Sequence, residues 1–178
     1  MEDSGARRSM IFTDLGVVTT TPLNGPALTR TMLTELSAGR PDVIVFELGD
    51  GILGAYGVEA ILDAADIRQS LTALVLSAND PVAAWGGVKL LRERFGIEPA
   101  AVTGPATDNS VGVDIIRERL GVPAFNALTS GAELGDCVIA AAGPARATMN
   151  SCHGLSGIRS RRATPPMGRS VMSRVPMP

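Results

Sequence analysis

Aromatic side chains are few: one tryptophan (Trp85), one tyrosine (Tyr56) and four phenylalanines in 178 residues. So few rings make no platform on which successive bases could stack. A net charge of −2 spreads no broad basic field for a phosphate backbone. Nucleic acid is therefore not an expected partner. Lysine occurs once, as Lys89, and histidine once, as His153. The two cysteines, Cys137 and Cys152, lie too far apart for any metal-type spacing. His153 follows Cys152 directly, but the pair sits in a compositionally poor tail and reads as a solvent-exposed bystander. No run approaches the ~20 apolar residues of a membrane span. The first ten residues are polar and charged and lack the apolar segment of a secretory leader. No membrane partner is expected, and the default expectation is a cytoplasmic protein.

Hydrophobic residues make up 45% of the chain, enough to give one domain a sizeable core. The most informative stretch is Asp42-Val43-Ile44-Val45-Phe46-Glu47-Leu48-Gly49-Asp50-Gly51. An apolar run that ends in acids and glycines predicts a buried parallel strand carrying carboxylates to the sheet's carboxyl edge. Open α/β sheets bind ligands at that edge.

The rest of the chain alternates in the same sense. Strand patterns at 10–18, 42–48, 71–78, 99–103 and 122–125 interleave with helical patterns at 27–38, 56–70, 81–95, 111–120 and 130–141. Gly39, Gly96 and Gly121 stand where helices should stop, and Asp80 and Ser110 where they should be capped. Pro123 confines the last strand to an edge. This order predicts one α/β domain over 10–143. It is a mostly parallel, doubly wound sheet of about five strands with flanking helices. Residues 144–178 are rich in Arg, Ser, Pro, Met and Gly without periodicity, which predicts a disordered tail.

Three segments carry a family likeness. Glu47 to Leu53 reads Glu-x-x-Asp-Gly-Ile-Leu, Leu74 to Asp80 is an apolar strand ending Ala-Asn-Asp, and Leu91-Arg92-Glu93-Arg94-Phe95-Gly96 precedes Val102-Thr103-Gly104. Over roughly residues 40–130 this resembles the C-terminal half of P-loop NTPases, in the branch that includes dethiobiotin synthetase. The resemblance implies a nucleotide-associated domain, with Glu47 or Asp50 as Walker-B-like acids for Mg²⁺. It also implies a loop at 103–109 beside the base. No Gly-x-x-x-x-Gly-Lys-[Ser/Thr] is present, so the β- and γ-phosphates lack their cradle. Under the resemblance the chain is a fragment lacking that half, or a degenerate relative, and is not catalytic alone.

The candidate site follows from these readings. Glu47 and Asp50 are the candidate metal ligands, since Mg²⁺ takes a few carboxylates plus phosphate oxygens. The alternative is that Asp50 caps a turn while Glu47 pairs with an arginine. Gly49, Asp50, Gly51 and Gly54 match Gly-x-Gly-x-x-Gly, which makes a Rossmann-type NAD(P) site the second reading. Against it, Asp50 would repel the pyrophosphate, and the acid expected ~20 residues on falls near Ser70 and Leu71. Asn79, Asp80, Thr107 and Asp108 complete the rim at the ends of two later strands. Thr19, Thr20, Thr21, Asn24 and Thr29, with Arg30, could receive an anion ahead of the first helix, or serve ordinary capping and turns. Trp85 is expected to be a packing residue. The tail arginines, from Arg146 to Arg174, are expected to be solvated. A third reading is non-enzymatic: a bared sheet edge through which copies of the chain pair as a homo-oligomer.

Overall fold

The computed structural model describes residues 2–49 and 51–143; the expected disordered tail at 144–178 lies outside them, as does Asp50. Six α-helices are present among the described residues: α1 (Gly25–Ser37), α2 (Val58–Asp63), α3 (Ala65–Ser70), α4 (Pro81–Leu90), α5 (Ser110–Ile115) and α6 (Gly131–Ala142). Only two strands accompany them, β1 (Val75–Ser77) and β2 (Ala101–Thr103), paired in parallel with Leu76 opposite Val102. A single parallel bridge from Val102 to Ala124 adds a third line of chain on the far side of β2. No helix among the described residues is long and apolar enough to cross a membrane.

The five-stranded, doubly wound sheet is therefore not found, and the reason differs for each missing strand. Residues 10–18 form a short 3₁₀ turn, Phe12–Leu15, because Asp14 accepts a hydrogen bond from the Ile11 amide at 2.9 Å and closes a local turn. At 122–125 the pairing shrinks to the one bridge, where Val102 donates to the Pro123 carbonyl and accepts from the Phe125 amide. Residues 43–49 form neither strand nor helix, although burial alternates along them, with Ile44, Phe46 and Leu48 half-buried and their odd-numbered neighbours exposed. Only Leu48 reaches the core, and no main-chain hydrogen bond among the described residues involves 42–49.

The sheet still organises one core. Leu76 and Val102 face Ala84 and Val88 of α4, then Leu91, Phe95, Ile116 and Leu120, all buried. The last four come from two turns with the same sequence pattern. Leu91-Arg92-Glu93-Arg94-Phe95 and Ile116-Arg117-Glu118-Arg119-Leu120 each continue an α-helix as one π-helical turn and stop at a glycine, Gly96 or Gly121. In each the outer apolar residues are buried and the charged trio is in solvent. The first arginine of each trio then secures a neighbouring carbonyl: Arg92 donates to Leu120 O at 3.0 Å and Arg117 to Ala124 O at 2.7 Å. The chain thus repeats one strand–helix–π-turn unit.

Of the N-terminal helices, α2 adds Val58 and Leu62 to the same core. The helical pattern at 56–70 is broken at Ala64, whose ψ of 108° is extended. Arg68 donates to the freed Leu62 carbonyl at 2.6 Å, so the break leaves that group satisfied. Arg94 ties α2 to the first π-turn through Glu59 and through Asp63, the latter at 3.0 Å.

Candidate functional site

The rim at the carboxyl ends of β1 and β2 forms as the strand ends dictate. Asp80 follows β1 and accepts from the amides of Val82 and Ala83, both at 2.8 Å, so it caps α4 with Pro81 at the first helical position. Asn109, rather than Ser110, caps α5 by accepting from the Gly112 amide at 2.9 Å. Thr107 is buried, and its hydroxyl lies 2.7 Å from Gly104 O and 3.1 Å from Phe125 O, bonding the loop after β2 to the third line of chain. Asn126 donates to Asp108 Oδ1 at 3.0 Å and accepts from the Leu128 and Thr129 amides at 2.9 and 3.1 Å.

Between the 107–110 loop and residues 124–130 lies a cleft of about 260 Å³. Its walls include Asp108, Asn109, Arg117, Phe125, Asn126 and Ser130. The Arg117 guanidinium sits 5.5 Å from the centre of the Phe125 ring. Thr107 and Asp108 therefore lie at a cleft, whereas Asn79 and Asp80 are not part of its lining. Sequence reading missed Arg117, Phe125 and Asn126; the signal was a ring and an amide at the end of a third sheet segment, the same logic that selected Asn79.

None of the described glycine-rich candidates lines this cleft. Glu47 is exposed and makes no ion pair or hydrogen bond among the described residues. Gly49 and Gly51 stand open, with nothing within 4 Å of a side chain built on them. Gly54 lies in a turn, and α2 begins only at Val58. The Gly-x-Gly-x-x-Gly stretch thus neither leaves a sheet strand nor opens a helix, the context a pyrophosphate site needs. Among the described residues no three His, Cys, Asp or Glu side chains group so as to hold a metal ion, and Asp50 lies outside them.

The remaining polar candidates are engaged locally. Thr21 and Asn24 bond reciprocally, Asn24 Oδ1 accepting from the Thr21 amide at 2.7 Å and Thr21 Oγ1 from the Asn24 amide at 3.3 Å. Thr29 is buried, and Arg30 is engaged by Asp66. The Cys137 thiol points to Ala100 O at 3.5 Å; Cys152, His153 and the tail arginines lie outside the described residues. Trp85 departs from expectation: it is 53% exposed rather than packed. No family model, no curated protein and no solved structure matches the chain.

Proposed function

We propose that this chain is a binding module, not catalytic alone, that pairs with a second copy of itself along segment 42–49. One observation carries the reading. Val43 and Val45 are 71% and 70% exposed on a segment whose backbone amides and carbonyls have no protein partner among the described residues. β1 adds a second open edge, since among the described residues it pairs only with β2 and leaves Val75 38% exposed. Main chain without ladder partners, carrying exposed apolar side chains, is a template for strand pairing.

Magnitudes set the expected strength. Burying a valine contributes roughly 1.5–3 kcal/mol, while association itself costs about 4–15 kcal/mol. The valines of two copies at best roughly balance that cost, so ladder hydrogen bonds decide whether a dimer holds and the assembly is concentration-dependent. Light scattering across a dilution series tests this. The parent chain should move from monomer to dimer or higher species as concentration rises. Val45→Lys, a change at an exposed position, should remain monomeric with an unchanged circular dichroism spectrum. A parent that stays monomeric throughout, or a variant that assembles equally well, overturns the reading.

The cleft at 107–130 favours a second reading. A nucleotide base side by side with Phe125 and Asp108 fits the volume and the polar rim, and the likeness to P-loop NTPases points the same way. With no phosphate cradle in the sequence, such binding is weak. A fluorescent-nucleotide titration that stays flat with Mg²⁺ present removes it.

A further inference from the structure

We propose that the groove beside Trp85 docks an acidic, partly apolar segment of a partner protein. The groove lies between the α4 face and the second π-turn, measures about 200 Å³, and is lined by Val88 and Leu120, both buried, with Trp85, Lys89, Arg92 and Arg119 around them. Trp85 is the chain's only tryptophan, and it stands half-exposed one turn from Val82, which is 76% exposed. An apolar stripe of this kind on a helix, rimmed by charge, is the form of a recognition surface, and Trp and Arg are the residue types that most often anchor one.

The charges give the occupant its chemistry. Arg92 is neutralised by Glu98, at 2.7 and 2.6 Å, and is held in place by Leu120 O. Lys89 sits 5.2 Å from the centre of the Trp85 ring and only loosely meets Glu93, at 3.9 Å. Arg119 has no ion pair or hydrogen bond among the described residues. Two cations therefore face the groove against one acid, Glu93. A carboxylate placed between Lys89 and Arg119 removes that surplus, and an adjacent leucine-like side chain covers Trp85 and Val82.

Because Trp85 is the single tryptophan, its fluorescence reads this groove alone. The full chain is titrated with a short capped peptide alternating glutamate and leucine, and with its glutamine counterpart. The acidic peptide should shift Trp85 emission saturably. The response should weaken at least about tenfold in Arg119→Glu, and also near 1 M salt, where screening acts over roughly 3 Å. Arg119 is exposed, so thermal melting by circular dichroism should match the parent. Emission unmoved by the acidic peptide overturns the proposal. So does an equal response to the glutamine peptide, which would mean apolar docking without charge. A response to single-stranded oligothymidylate but not to the peptide would assign the groove to nucleic acid and overturn it as well.

Discussion

Arg30 and Asp66 meet side-on, Nε to Oδ2 at 2.6 Å and Nη2 to Oδ1 at 2.8 Å, and so join α1 to α3. The guanidinium bonded to both carboxylate oxygens holds the Asp66 carboxyl down at about 2, below its ordinary value of 3.8. The sign follows from the depression. The pair favours the folded state above the unfolded carboxyl's value, and that contribution is lost as pH falls from about 4 toward about 2. Both side chains are largely solvated, which keeps the effect small. A carboxyl titration by NMR should place the Asp66 midpoint near 2, and Arg30→Met should return it to the ordinary carboxylate range. An ordinary midpoint in the parent would mean the pair does not persist in solution.

Gly57 begins α2 against the turn that begins α1. A side chain built on it would stand 2.5 Å from the Thr21 carbonyl oxygen, which already accepts from the Gly25 amide at 2.8 Å. Its φ of +88° is also one that side chains rarely adopt. Gly57→Ala should cost roughly 1–3 kcal/mol from the backbone alone, and more from displacing Thr21. Urea unfolding gives the number; a loss under about 0.5 kcal/mol, the range of ordinary surface changes, would show that the two helix starts separate freely.

Arg40 presents the opposite case. It is the one residue other than glycine with a positive φ among the described residues, +46°, and it follows Gly39, which has no positive φ. Since a side chain in this region costs about 1–2 kcal/mol, Arg40→Gly should raise stability by up to about 1 kcal/mol once glycine's extra unfolded-state freedom is deducted. A melting temperature lowered by the change would mean the arginine side chain holds the turn.

How much of this was legible differs from element to element. α4 could be read nearly residue by residue, because Asp80-Pro81 and Gly96 are local signals whose chemistry acts within one turn. Val-Ile-Val-Phe at 43–46 read as a buried strand, but these residues form none, because pairing depends on where another strand lies and no window of sequence records that. Ser110 looked like the cap of α5, yet Asn109 one residue earlier takes the role; both are capping types, and only geometry separates them. The same limit hid the cleft. Phe125 and Asn126 became rim residues only when Ala124 bridged to Val102. Trp85 was expected to be a packing residue, and the helix instead turns Ala84 and Val88 inward.

The sheet pairings of this chain join residues separated by little more than one helix: Val75 with Ala101, Val102 with Ala124. Such contacts can close as each unit leaves the ribosome, the first before the second has been made. Residues 42–49 are synthesised ahead of both, and of them only Leu48 packs against the core that these closures build. If copies pair through that segment as proposed, a polysome, where nascent chains stand close together at high local concentration, is where they would first meet. Assembly would then be decided during translation, by ribosome spacing and elongation rate as much as by the affinity of the finished protein.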